Sequence, residues 1–333
     1  MVTTWSQLTP PSEKVLREEI TGALGSDYLR SASEPSLTDS LVAVAVLWVE
    51  LGILLAVANL LPMLSLPVAV AVGCVVVFLI GTRMNALGVV VHEGSHGMLV
   101  KSRSANDNLT NWTAAFWTIN SVEEYRPTHR LHHRFLGTAR DPDRFFYLVP
   151  AKRGALAYLM LQDLFGVTAF RRATTRLAGT SQESDASASL LMKPRLLIGK
   201  AVTQIIVLGQ FVLFQGIWSG VLFYAVFWLV PIVCMYPMIL RLKTITEHYD
   251  ARLHYPKVVT WTARSSASGP VQNHIIGARM QYHFEHHVLP TIPYPGLKKV
   301  HAALDERGLF DEHGEFISGG YVQYLTRAVT RKL

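Results

Sequence analysis

Histidines are the residues of this chain whose type and spacing could do chemistry, and eight of the thirteen lie in three short motifs. Spacings of three and four residues bring side chains to one face of a helix. Each motif can therefore direct two or three imidazoles at one point, and imidazole binds iron, zinc, copper and nickel. This repetition predicts a metal site. The motifs are His92-Glu-Gly-Ser-His96, His129-Arg-Leu-His132-His133 and His283-Phe-Glu-His286-His287.

The number of imidazoles limits the choice of metal. The first motif alone, with its HExxH pattern, is typical of zinc proteases. One zinc ion takes four ligands, so an intramembrane zinc protease would leave six of these histidines unexplained. Two octahedral irons that share eight or nine imidazoles fit better, and such a centre could activate dioxygen against an unactivated C–H bond. A metal transporter is the other alternative, but its ligands should lie at midbilayer depth.

Long apolar stretches must position these motifs. Half of the residues are hydrophobic and only 17% are charged, which is typical of a membrane protein. The stretches 41–61, 67–91, 200–218 and 220–240 are each long enough to span the hydrocarbon core. We therefore predict an all-α integral membrane protein with two transmembrane hairpins. A shorter apolar stretch, 155–170, predicts an interfacial helix beside a cytosolic cap that holds the metal site.

The charges predict the orientation. Fifteen Lys and Arg residues lie in 92–200 and twelve follow 240, whereas the turns of both hairpins contain none. The positive-inside rule then places both termini and the middle segment in the cytosol. The chain reads as one membrane domain, 1–333, whose parts are the cytosolic segment 1–40, the first hairpin 41–91, the cytosolic and interfacial segment 92–199, the second hairpin 200–240 and the cytosolic segment 241–333.

Composition also excludes several classes of protein. The net charge of +7 suits an anionic membrane surface or an acidic partner, and the mean hydropathy of +0.25 argues against nucleic-acid binding. The two cysteines, Cys74 and Cys234, cannot form an iron–sulfur cluster or a disulfide framework, and both should be buried. Glu50 and Arg83 fall at similar depths in the first hairpin, and we predict that they form an ion pair or share a polar network near the metal site.

The motifs and their flanking residues resemble those of the membrane fatty acid desaturase superfamily, over about residues 83–297. The likeness is closest to the sphingolipid (ceramide) desaturase branch and its bacterial relatives. Tyr125-Arg-Pro-Thr-His129, Asp141-Pro-Asp143 and the run from Tyr282 to Pro290 carry it together with the first motif. An element like Glu247-His248-Tyr249 also occurs in that branch. The resemblance thus implies that His248 is a ninth ligand.

The same resemblance implies the reaction and its cofactors. These are two iron ions, dioxygen as co-substrate and electrons from a separate ferredoxin-like or cytochrome-type protein. The expected function is desaturation of a long acyl or sphingoid-type chain, in a bacterial inner membrane or the endoplasmic reticulum, and the substrate is a membrane lipid or another carrier of an acyl chain. A hydroxylase on the same scaffold stays open, because both reactions share the first hydrogen abstraction. The amide expected four residues before His248 is replaced by Thr244, with Asn273 as a possible substitute.

Other residues near the motifs have expected roles. Five carboxylates beside the histidines should orient ligand imidazoles by hydrogen bonds. Three aromatic residues could line an acyl tunnel, and three histidines outside the motifs should be surface residues without a role. The carboxylates are Glu93, Asp141, Asp143, Glu247 and Glu285. The aromatic residues are Trp112, Phe116 and Trp117, and the three histidines are His254, His301 and His313. His274 is left unassigned.

Overall fold

The structure is a computed structural model. It describes residues 13–150, 152, 154–177, 193–249, 262–278, 280–312 and 314–330. The stretch 178–189, whose Ser, Gly and Ala content predicts a loop, lies outside this set, as do His254 and His313.

Helices dominate the described part of the chain, in agreement with the predicted fold class. The first nine α-helices are α1 Glu13–Leu24, α2 Ser26–Ala32, α3 Leu37–Leu60, α4 Leu66–His96, α5 Arg103–Thr110, α6 Val122–Phe135, α7 Arg144–Tyr147, α8 Ala155–Leu164 and α9 Val167–Leu177. A 3₁₀ turn, Leu61–Met63, joins α3 to α4, and a π turn Asn111–Ala115 and a 3₁₀ turn Phe116–Thr118 follow α5.

The second half of the chain is also mainly helical. Its helices are α10 Pro194–Gln215, α11 Ile217–His248, α12 Pro270–Gln272, α13 His283–Val288, α14 Tyr294–Asp305, α15 Leu309–Glu312 and α16 Tyr321–Thr330. The strands β1 Ser265–Ser266 and β2 Ile317–Ser318 pair in parallel. The remaining turns are two π turns inside α11, Ala225–Leu229 and Pro231–Met235, the π turn Asn273–Gly277 and the 3₁₀ turn Gly314–Phe316.

Within the described residues, four helices are long and apolar enough to cross a membrane, as predicted. They are Leu37–Met63, Leu66–His96, Pro194–Gln215 and Ile217–His248. The second and fourth contain 31 and 32 residues. At 1.5 Å per residue each is about 47 Å long, against a hydrocarbon core of about 30 Å. Both helices therefore extend well beyond the apolar layer, and their ends carry histidines.

Glycine makes the second hairpin tight. Gly216 adopts φ 77° and forms the whole connection between α10 and α11, although the glycines at 216 and 220 predict a five-residue turn. A Cβ atom on Gly220 would lie 2.6 Å from the Cα atom of Val212, so only glycine allows the two helices to approach this closely. The turn is therefore shorter than expected, and α11 starts three residues early.

The predicted pair inside the first hairpin is confirmed. Arg83 Nη1 lies 2.6 Å from Glu50 Oε2 and 2.8 Å from His274 Nε2. Its Nη2 donates to the carbonyl of His274 at 2.5 Å. Arg83 thus joins α3 and α4 to the π turn that follows α12. A charge inside the bilayer is costly unless it is paired, and this network supplies the partners.

Two expectations about apolar stretches need correction. The stretch 155–170 forms parts of two helices, α8 and α9, because Gly166 adopts φ 71° and so interrupts the helix. The buried Asp163 at the end of α8 pairs with Arg241 of α11 at 2.5 Å. The expectation that both cysteines are buried is wrong, since Cys74 is exposed and Cys234 is only partly buried. A bilayer-facing position explains an apolar residue exposed on such a helix.

Candidate metal centre

Each histidine motif lies on one helix, as its spacing predicts. His92 and His96 lie in the last turns of α4, and His248 is the last residue of α11. The second motif lies on α6, where the Ser121 hydroxyl caps the helix by accepting from the Glu124 N–H. The third motif lies on the short helix α13, which packs against α1 through Phe284 and Val288. Three motifs and one helix end therefore meet at one end of the long helices.

The nine imidazoles form two groups. In each group, one ring nitrogen from every member lies within 4.8 Å of all the others. The five-histidine group consists of His92, His96, His129, His133 and His286, and the four-histidine group consists of His132, His248, His283 and His287. The groups adjoin, because the rings of His133 and His287 are 4.3 Å apart.

Distances between nitrogens have the spacing of a metal's ligands. In the five-histidine group, His129 Nε2 is 2.8 Å from His96 Nε2 and 3.0 Å from His133 Nε2. In the four-histidine group, His283 Nε2 is 2.9 Å from His248 Nε2 and 3.1 Å from His287 Nε2. Two nitrogens bound at right angles to an ion, at about 2.1 Å, are about 3.0 Å apart. The donors therefore fit around one ion per group.

Unpartnered nitrogens support the same interpretation. Both ring nitrogens of His92 are buried without a hydrogen-bond partner. Such atoms are rare in proteins because each costs its full desolvation energy. Burial, followed by the charge of neighbouring imidazoles, also lowers the pKa of five histidines well below the ordinary value, which keeps them neutral and able to donate a lone pair. These are His129, His133, His283, His286 and His287.

His132 is the exception, because a carboxylate orients it. Its Nδ1 lies 3.0 Å from Asp141 Oδ1, and Asp141 is itself held by the Tyr147 hydroxyl and by the N–H of Asp143 at 2.9 Å. Burial lowers the pKa of His132, but the Asp141 carboxylate outweighs burial and the pKa is raised. The hydrogen bond to Asp141 places a proton on Nδ1, so Nε2 is the nitrogen left to bind an ion.

The other four carboxylates have different surroundings. Glu247 is buried, pairs with Lys243 and has Oε2 3.8 Å from His283 Nε2. Asp143 Oδ2 lies 4.0 Å from His132 Nδ1. Glu93 Oε1 accepts from the N–H of Tyr294 at 3.4 Å. Glu285 is fully buried and contacts Ser265 and His301.

His301 corrects the sequence interpretation. It was expected to be a surface residue without a role, but its side chain is only 28% exposed and its Nδ1 lies 2.5 Å from Glu285 Oε1. Sequence reasoning missed it because it stands 14 residues after His287 and belongs to no local pattern. His274 lies outside both groups and contacts Arg83 and Glu50.

A cavity of about 250 Å³ opens beside the histidines, between α4, α9 and α11. Its inner wall includes His92, His129, His132, His248 and His283. Apolar side chains of Val89, Ile119, Ile232, Leu240 and Met280 also line the cavity, together with polar and charged residues that include Asn85, Arg172, Tyr236 and Lys243. The π turn Pro231–Met235 lies where α11 borders the cavity, and such turns are frequent at functional sites.

The predicted aromatic tunnel is not this cavity. Trp112, Phe116 and Trp117 are absent from its lining. Trp117 packs edge-on against Trp48, and Trp112 is 49% exposed. Thr244 lines the cavity, whereas Asn273 does not and donates to the carbonyl of Ser268 at 2.6 Å. Asn273 therefore does not supply the amide that is expected near His248.

Comparisons with known proteins agree with the motifs. A sequence profile described as fatty acid desaturase matches residues 67–319. The dihydrorhizobitoxine desaturase of Bradyrhizobium elkanii is 28% identical over 245 residues, which are 67% of this chain and 65% of the relative. The chain thus spans slightly less than two thirds of the length of that curated relative.

Proposed function

The chain belongs to the fatty acid desaturase family, and from this premise we propose that it is a membrane di-iron desaturase of long acyl or sphingoid-type chains. The substrate would lose two hydrogens from neighbouring carbons and gain a double bond. With two electrons and two protons from outside, those hydrogens would reduce one dioxygen to two waters. The observation that carries the proposal is the convergence of nine imidazoles from three motifs and the end of α11.

The two groups are the proposed ligands of two iron ions. Five nitrogens would hold one ion and four the other, and the nearly 3 Å spacing between neighbouring nitrogens suits octahedral geometry. Iron in such a site would supply the activation of dioxygen needed to attack an unactivated C–H bond. Six histidines from the second and third motifs join the HExxH residues, so a protease that uses the first motif alone does not explain the site.

The residues around the cavity have roles in binding and orientation. The apolar side chains of Val89, Ile232 and Leu240 would hold a hydrocarbon chain against the histidine wall. These side chains would also keep water away from the reacting carbons of the hydrocarbon chain. Asp141 would hold His132 in the tautomer that leaves Nε2 free for iron.

The membrane arrangement follows from the charges and the four spans. We propose that both termini and the histidine groups face the cytosol, because the basic residues concentrate on that side. A separate electron-transfer protein on the same side would supply the electrons. The relative's name supports desaturation in general and leaves the substrate and its carrier to experiment.

Product analysis tests the proposal. The wild-type protein and the His132→Ala variant would be expressed in a host with simple lipids, together with an electron donor, and acyl chains would be identified by mass spectrometry. We expect a new unsaturated chain with the wild-type protein and none with the variant. A hydroxylated product would instead show that the protein is a hydroxylase. An unchanged lipid profile with iron-loaded protein would contradict both reactions.

A further inference from the structure

Glu285 is a buried carboxylate in the middle of the third motif. It lies between His283 and His286 on α13, and its side chain is 0% exposed. A buried carboxylate needs partners of its own, because removal from water is unfavourable for a charge. Two residues from separate parts of the chain supply them. The Ser265 hydroxyl and His301 Nδ1 both hydrogen bond to Glu285, at Oε2 and Oε1 respectively.

Ser265 connects this carboxylate to the end of α11. Its hydroxyl also accepts the N–H of Phe284 at 3.1 Å. Three residues earlier, the Thr262 carbonyl lies 2.8 Å from His248 Nδ1, and the Thr262 hydroxyl donates to the carbonyl of His248 at 2.7 Å. The segment 262–266 therefore contacts both His248 and α13, the two elements that supply three of the four members of the four-histidine group.

His301 approaches Glu285 from the opposite element, α14. Its ring lies 5.0 Å from that of Tyr282 and 4.8 Å from that of Phe310, so packing limits its rotation. A ring fixed in this way offers Nδ1 to Glu285 in one direction. Ser265 and His301 together hold α13 at the residue between its histidines.

We infer that His301 is a positioning residue for the metal centre, acting through Glu285 on His283, His286 and His287. The inference rests on the di-iron function proposed above. One member of the five-histidine group and two of the four-histidine group lie on α13, so this helix serves both ions. The hydrogen bond from His301, more than the bulk of its ring, keeps the three imidazoles in place.

Two substitutions separate the hydrogen bond from the packing. His301→Phe keeps an aromatic ring between Tyr282 and Phe310 but removes the donor. His301→Asn removes the ring but keeps an N–H group near the position of Nδ1. The readouts are the iron content of each purified protein and the rate at which a chelator removes the iron. We expect His301→Phe to lose iron about tenfold faster than wild type, the lower end of the effect of removing an outer hydrogen-bond partner of metal ligands. His301→Asn should stay close to wild type.

Phe310→Leu is the matched packing control, and we expect it to retain iron. The opposite pattern, with iron lost in His301→Asn and Phe310→Leu but kept in His301→Phe, would overturn the inference and assign His301 to packing. If wild type binds no iron, the proposed function fails, and the inference fails with it. If His301→Phe cannot be purified, the pair Glu285→Met and Glu285→Met/His301→Phe provides the test, because methionine removes the acceptor at residue 285. The double variant should retain iron as well as Glu285→Met alone does, and a further tenfold loss would contradict the inference.

Discussion

The two histidine groups differ in how much of the protein encloses them. All four members of the four-histidine group are buried. In the five-histidine group, His96 and His133 are only partly buried. One proposed iron would therefore be held by buried side chains only, whereas two ligands of the other would be partly exposed.

The groups also differ in what orients their rings. In the four-histidine group, Asp141 holds His132 and the Thr262 carbonyl holds His248. The contacts of the five-histidine group are mostly between imidazoles, as in the 3.2 Å distance from His133 Nε2 to His286 Nε2. The Tyr125 hydroxyl, 3.3 Å from His129 Nδ1, is a weaker partner. Protein groups fix the first arrangement, and the second depends more on the ion that its histidines share.

Loss of a ligand from either group should have the largest effect. We expect His132→Ala and His96→Ala to abolish turnover equally, because each opens a coordination position and changes the redox chemistry. Product formation in the expression host measures this. Substantial activity in His96→Ala alone would mean that the five-histidine group is not part of the reacting centre. Substantial activity in His132→Ala would refute the site assignment.

Removal of a residue that orients a ligand imidazole should affect the two histidine groups differently. We expect Asp141→Asn to lower activity or iron affinity about 10- to 100-fold, since it weakens the hydrogen bond that fixes the His132 tautomer. Tyr125→Phe should change either value only slightly, because its 3.3 Å contact is long for a hydrogen bond. Equal losses in the two variants would show that both histidine groups depend equally on the residues that hydrogen bond to their imidazoles.

The rate of iron release to a chelator should reveal the difference in burial between the two histidine groups. Iron should leave the wild-type protein in two phases of equal amplitude, with the faster phase from the five-histidine group, because His96 and His133 are open to solvent. The time course of iron release under excess chelator measures it. Asp141→Asn should speed only the slow phase. A single phase in the wild-type protein would contradict the distinction.

Histidines outside both groups should have the smallest effect. We expect His254→Ala and His313→Ala to retain most activity and their full iron content, since neither belongs to a motif. Both lie outside the described residues, so this prediction rests on the sequence. The same assay as for His96→Ala provides the measurement. A loss comparable with that of His96→Ala in either variant would extend the metal centre beyond the nine histidines.

Short-range patterns in the sequence predicted much of this structure. Motif spacing placed the histidines on single helix faces, apolar length identified four spans, and depth counting predicted the Arg83–Glu50 pair. The predicted fourth span ends at 240, directly before Arg241 and Lys243. The structure continues the helix to His248, because Asp163 and Glu247 neutralise those two charges.

Long-range partners could not be predicted in this way. The contacts of His301 with Glu285 and of Thr262 with His248 join residues 16 and 14 positions apart that do not share a helix. Neither contact has a periodic pattern that a sequence could display. The Gly166 break between α8 and α9 was also missed, because apolar composition alone does not distinguish one helix from two.

The third motif contributes to both histidine groups, and this sets the order of events during biosynthesis. The five-histidine group needs His286, and the four-histidine group needs His283 and His287. Neither group is complete until the ribosome has made about residue 287, after all four spans have been synthesised. A nascent chain can therefore enter the membrane as hairpins before either histidine group is complete, and loading of the proposed ions would be confined to a late stage of biogenesis.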